Sequence, residues 1–180
     1  LMTPQILDLL KRFSVKASFF FTGQNVSTYQ DIAIRAFQEG HSILSHSYSH
    51  PDLTKETPEN VKRELLMTED MFSTVIGRRP AVVRPPYGAI NEEVLSVLKE
   101  LKSIAALWSI DSLDWAPNIS VDNIVRNVLN NVRPGDIVLM HSYSSLNVVL
   151  EALPSIILGL KSKGYKLVDI GELLNMQVYK

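Results

Sequence analysis

Apolar positions along the chain alternate between helical spacing and short continuous runs, and that alternation predicts strands joined by helices. Ile6, Leu9, Leu10 and Phe13 fall on one face of a helix that Thr3 can cap, with Pro4 in its first turn. Ala17 to Thr22 is a short apolar run ending at Gly23 and reads as a buried strand. Asp31 to Glu39 carries Ile32, Ala36 and Phe37 at helical spacing and stops at Gly40; Ser42 to Ser45 reads as the next strand. Thr57-Pro58-Glu59 opens a helix with Val61, Leu65, Phe72 and Ile76 on its apolar side, and Gly77 closes it. Ala81 to Val83 is a brief strand. Asn91 caps a helix bearing Val94, Leu95, Leu98 and Leu101, and Ile104 to Ile110 reads as one strand. Ser120 caps a helix with Val121, Ile124, Val125 and Val128, and Asp136 to Met140 is a strand. Leu146 to Lys163 is helical by pattern, with Pro154 as a kink or a new start. Tyr165 to Ile170 reads as the last strand, and a short helix follows.

Strands separated by helices pair in parallel through right-handed crossovers. The expected class is therefore α/β, either a barrel or an open sheet, and in both function sits at the carboxyl ends of the strands. His46, Arg84, Asp111 and His141 each follow an apolar strand run. The 180 residues suit one domain, with no repeat, low-complexity tract or linker in the sequence. Hydrophobic residues make up 46% and charged residues 21%, as in an ordinary globular protein. A formal charge of −1 offers no field for nucleic acid, and no apolar run has the roughly 18 residues of a membrane span. With no cysteine, disulfides, thiolate metal sites and a cysteine nucleophile are excluded.

Four motifs carry candidate chemistry. In His46-Ser47-Tyr48-Ser49-His50 two imidazoles four residues apart meet on one side of a helical turn, and neutral imidazole is a good zinc ligand. Taken alone, such a pair is a weak signal and is more often polar surface or capping, and catalytic zinc needs about three protein ligands. Arg84-Pro85-Pro86-Tyr87-Gly88 is by itself a rigid loop; functionally it offers a fixed guanidinium and a backbone N–H for an oxyanion. Asp111-Ser112-Leu113-Asp114-Trp115 sets carboxylates beside an indole, which suits a sugar ring but equally a capped loop around a core Trp. In Leu139-Met140-His141 the imidazole ending a hydrophobic strand is either a satisfied structural residue or an acid for a leaving amine.

Together, HSYSHPDL, RPPYG, DSLDW and LMH, in that order, resemble the polysaccharide deacetylase family, the NodB-type domain of carbohydrate esterase family 4. ASFFFTG near the start and LPSIILGLKSKGYKLVDIGELL at the end extend the resemblance over essentially the whole chain. It implies a distorted (β/α) barrel with a groove for a polymeric sugar. It implies a divalent metal, zinc first and cobalt as the alternative, held by His46, His50 and an aspartate. That metal would polarise the acetamide carbonyl and activate water, with a second aspartate as base. Arg84 would orient this base, and the Tyr87 N–H would help hold the oxyanion. His141 would protonate the departing amine, with Asp114 setting its orientation and charge. Trp115 and Leu139 would line the pocket for the acetyl methyl.

The sequence departs from the family in one respect. The family's first motif, a strand ending Thr-Phe-Asp-Asp-Gly-Pro, supplies the base and the third ligand just before the helix that begins here at Thr3. The expectation is that this strand and its aspartates lie upstream of Leu1, along with any export signal, and that an N-terminal fragment carrying them docks on the rest. The function implied is removal of N-acetyl groups from N-acetylglucosamine residues, in peptidoglycan first and chitin-like oligomers second, releasing acetate outside the cell or at the wall. The alternatives are an O-acetyl esterase acting on xylan and a non-catalytic carbohydrate-binding protein on the same fold.

Overall fold

The computed structural model describes residues 2–142 and 147–180. In chain order the elements are α1 (Thr3–Arg12), β1 (Ser18–Phe21), α2 (Gly23–Thr28), α3 (Gln30–Gln38), β2 (Ser42–Ser45), α4 (Pro58–Ile76), β3 (Val82–Val83), α5 (Glu92–Glu100), β4 (Ile104–Ala105), β5 (Ile110–Asp111), α6 (Val121–Leu129), β6 (Val138–Leu139), α7 (Val148–Ser162) and α8 (Ile170–Leu174). The chain divides into two compact units, one of Leu1–Ala17 with Trp108–Asp169 and the other of Ser18–Leu107 with Ile170–Lys180. No helix among the described residues is long and apolar enough to cross a membrane.

The second unit holds a parallel sheet in the order β1-β2-β3-β4. Phe21 lies opposite Ser45, and Ser45 opposite Val83, so the residues following β2 and β3 emerge side by side at the carboxyl edge. Thr57 caps α4 by accepting the Asn60 N–H, and Gly77 ends it at φ 67°, a left-handed conformation that costs glycine little. Val61 and Leu65 of α4 bury against Val94, Val97 and Leu98 of α5 and against Val83. Leu95, expected on the buried face of α5, is exposed, and Val97 takes its place. The carboxyl-terminal residues close the unit from below: Ala81 N–H donates to Val178 O at 2.8 Å, and Ile43 N–H to the Tyr179 hydroxyl at 2.8 Å.

In the first unit β5 pairs in parallel with β6, Ile110 opposite Val138 and Asp111 opposite Leu139. Ile124 and Val128 of α6 pack on Ala152, Ile156 and Leu160 of α7. Ser120 caps α6, as its sequence predicts. One helix runs through Pro154, so no new helix starts there; the expected start at Leu146 lies outside the described residues.

Four further expectations are corrected. Thr3 is the first residue of α1 rather than its cap; it is buried, its hydroxyl donates to Ser142 O at 3.4 Å, and Met2 occupies the cap position. Gly23 does not merely end a strand. Thr22 accepts the Asn25 N–H and starts α2 there, a helix the hydrophobic pattern does not announce. The run Ile104 to Ile110 is two strands and not one. Arg84 draws the Ala106 and Leu107 carbonyls to its guanidinium, while the Ser109 and Ile110 N–H groups turn to Ile137 O. Residues 165–169 form no strand. Tyr165 N–H donates back to Leu160 O at 3.1 Å and Ile170 N–H to Ser18 Oγ at 2.9 Å, so these donors end on a helix terminus and a side chain.

Candidate active site

In the second unit the residues after β2 bring the two imidazoles together without a helical turn. Ser47 and His50 take left-handed backbone conformations, φ 61° and 66°, which correct the expected helical geometry. Non-glycine residues hold such conformations only where their surroundings enforce them. Here Ser47 Oγ accepts the His50 N–H at 3.1 Å, and the Ser47 and Tyr48 carbonyls accept from the first N–H groups of α2, Gly23 and Gln24. The rings of His46 and His50 stand edge to face, 4.8 Å between centroids. His46 Nδ1 lies 2.6 Å from Arg84 O. A carbonyl only accepts, so Nδ1 donates, and in the neutral ring the lone pair then sits on Nε2, the arrangement metal-ligating histidines use.

The Tyr48 ring seats directly on Gly23, where a Cβ would come within 2.3 Å of Tyr48 Cδ2. Gly23→Ala is therefore expected to cost about 1–3 kcal/mol through overpacking. Urea unfolding checks this; an unchanged midpoint would show that the ring moves aside at no cost.

Arg84 and Tyr87 belong to the same cluster. Arg84 is 9% exposed, its guanidinium 4.0 Å from the Phe20 ring centroid, with Nε donating to Ala106 O and Nη2 to Leu107 O, both at 3.3 Å. Burial lowers its pKa to about 10, so it keeps its charge at neutral pH. Tyr87 sits at φ 61° in the turn Pro86–Gly88, 69% exposed, its ring 4.9 Å from that of His50.

In the first unit the register of β5 and β6 sets the DSLDW loop beside His141. Ser112 N–H donates to Leu139 O, and Asn127 Nδ2 braces Ser112 O at 3.1 Å. Asp114 is 2% exposed and receives two donors from His141: the backbone N–H at Oδ2, 2.6 Å, and ring Nδ1 at Oδ1, 2.7 Å. A carboxylate accepts both, so Nδ1 carries a proton and the ring is oriented through it. Trp115 is 56% exposed rather than a core residue, with its indole N–H on the Asp111 carboxylate at 3.3 Å, and Leu139 is buried.

The structure thus groups His46, His50, Arg84 and Tyr87 in one unit and Asp114, Trp115, Leu139 and His141 in the other. Among the described residues no three His, Cys, Asp or Glu side chains form a metal-binding group. His46 and His50 offer two neighbouring imidazoles suited to such an ion, and the bond of His46 Nδ1 to a carbonyl fits ligation through its Nε2. The motif pattern gives no sign of Glu64. From α4 its carboxylate accepts the Tyr48 and Ser49 N–H groups at 2.9 and 2.8 Å and the Ser49 hydroxyl at 2.8 Å. Its only trace in the sequence is a polar residue bordering the Val61–Leu65 stripe.

Comparison with known proteins identifies the family. Residues 1–105 match the model of the polysaccharide deacetylase family. A peptidoglycan-N-acetylglucosamine deacetylase of Bacillus cereus is 39% identical over 93% of this chain, which spans 62% of that protein. The peptidoglycan-N-acetylmuramic acid deacetylase PdaC of Bacillus subtilis is 36% identical over 95% of this chain, which spans 35% of its length. The crystal structure of the Bc1960 peptidoglycan N-acetylglucosamine deacetylase superimposes with a TM-score of 0.96 at 36% identity, covering 99% of this chain and 84% of that one. Parallel α/β architecture, ordered motifs at strand ends and these matches lead to one statement: the chain belongs to the polysaccharide deacetylase family.

Proposed function

We propose that this chain serves a metal-dependent hydrolase that removes N-acetyl groups from N-acetylglucosamine residues of peptidoglycan, with chitin-like oligomers as second substrates, outside the cell or at its wall. The observation that carries the reading is the buried Asp114 carboxylate holding both the backbone and the ring N–H of His141. An imidazole so fixed can deliver a proton from Nε2 to the nitrogen of a breaking amide. The relatives named above as peptidoglycan deacetylases support the choice of polymer. The exposed Trp115 indole offers a face on which a sugar ring can pack.

His46 and His50 would hold a divalent ion, zinc first and cobalt as the alternative, with an aspartate as third ligand as the family resemblance implies. When bound, such an ion supplies Lewis-acid polarisation and activated water. Arg84 would orient the aspartate that acts as base in the family, and the Tyr87 N–H would donate to the oxyanion. Leu139 and Trp115 would receive the acetyl methyl. His141 would give its Nε2 proton to the amine as the C–N bond breaks, leaving acetate and a free amino sugar. Full-length protein supplied with zinc or cobalt is expected to release acetate from peptidoglycan and more slowly from chitin oligomers. Release from acetylated xylan alone would make it an O-acetyl esterase, and release from none of the three would defeat the proposal.

A further inference from the structure

Beyond the bond of the His50 N–H to Ser47 Oγ, the loop that carries both imidazoles is held from outside. Between His46 and His50 the backbone enters the left-handed region at Ser47 and again at His50, a path these residues do not favour by themselves. Three outside supports fix it. Gly23 and Gln24 donate to the Ser47 and Tyr48 carbonyls, the Tyr48 ring fills the space that Gly23 leaves open, and the Glu64 carboxylate gathers the Tyr48 N–H, the Ser49 N–H and the Ser49 hydroxyl. Only the last comes from a long, anchored helix. Val61, Leu65 and Thr68 beside Glu64 are buried, and the Thr68 hydroxyl bonds the Glu64 carbonyl at 2.8 Å. An acceptor on a packed helix is placed more firmly than one on a loop.

We infer that Glu64 is a positioning residue for the imidazole pair, fixing through the Tyr48 and Ser49 N–H groups the place at which His50 meets a divalent cation. This rests on the metal-dependent reading given above. The role is geometric: two N–H groups and a hydroxyl need acceptors at one point in space. Glutamine at the same length can supply the acceptor for both N–H groups, whereas aspartate keeps the charge but withdraws it by one methylene.

The test is zinc and cobalt affinity of the full-length protein, by chelator competition and by the visible absorption of the cobalt form, at a temperature where circular dichroism shows every variant folded. Glu64→Ala is expected to bind about 10–100-fold more weakly, as for other residues that orient metal ligands, and to shift the cobalt band. Glu64→Asp should lose affinity likewise, and Glu64→Gln should stay close to wild type. If Glu64→Ala fails to fold, the Asp and Gln pair carries the comparison. Affinity equal to wild type in every folded variant, or loss in Gln but not in Asp, overturns the inference and leaves the function untouched. A wild-type protein that binds neither ion removes the metal reading and this inference with it.

Discussion

His141→Ala is expected to lower turnover on peptidoglycan by about 10²–10⁴-fold, the usual loss when a positioned proton donor is removed. The side chain lies two residues beyond β6, and the buried Asp114 carboxylate holds its ring by Nδ1, which sets the direction of the Nε2 edge. Truncation deletes that edge and leaves the strand intact. The Asp114 carboxylate keeps the backbone N–H of residue 141 but loses the ring donor, for which about 1–3 kcal/mol of stability is the expected cost. Cooperative unfolding should therefore persist at a lower midpoint. Asp114→Asn should reduce turnover in the same direction, because an amide facing two N–H groups must oppose a donor to one of them. Steady-state acetate release checks both variants. Turnover in His141→Ala within a few-fold of wild type would take the proton-donor role away from this residue.

The second large effect expected is on the imidazole pair. Stripping the full-length protein with a chelator, or replacing His46 or His50 by alanine, should cut acetate release by about 10²–10⁴-fold. A Lewis-acid contribution of several kcal/mol, at about 1.4 kcal/mol per tenfold, gives that range. Added zinc or cobalt should restore the stripped wild type and not the variants. His46→Ala should be the more disruptive of the two, since the His46 ring also occupies the Arg84 carbonyl at 2.6 Å, beside a buried guanidinium. Full activity in metal-free protein would remove the ion from the chemistry, and rescue of the alanine variants by excess zinc would show that the ligands lie elsewhere.

Much of this site is legible one motif at a time. HSYSH and RPPYG follow strand runs, DSLDW and LMH begin at the ends of them, and Asn91, Ser120, Thr57 and Gly77 mark helix ends because capping chemistry is local. What each motif does in three dimensions is less legible. HSYSH looks like a helical pair by its spacing of four, yet its backbone is forced through two left-handed residues by bonds from α2 and α4. Trp115 could be core or surface by sequence, and its 56% exposure settles which. Ile104 to Ile110 is a uniform strand signal that the side chain of Arg84, some twenty residues earlier, interrupts at the Ala106 and Leu107 carbonyls.

By itself, the sequence determined most of the elements, the caps at Thr57, Asn91 and Ser120, the parallel α/β class and the chemical types available at the strand ends, since all of these follow from periodicity and near-neighbour hydrogen bonding. Tertiary structure alone decided the left-handed path of the histidine loop, the gathering of three loop donors by Glu64, the end of strand pairing after Ala105 and the double grip of Asp114 on His141. Each of these joins groups well apart along the chain. No local propensity encodes such a meeting; it exists once packed helices and paired strands have fixed both ends of the bond.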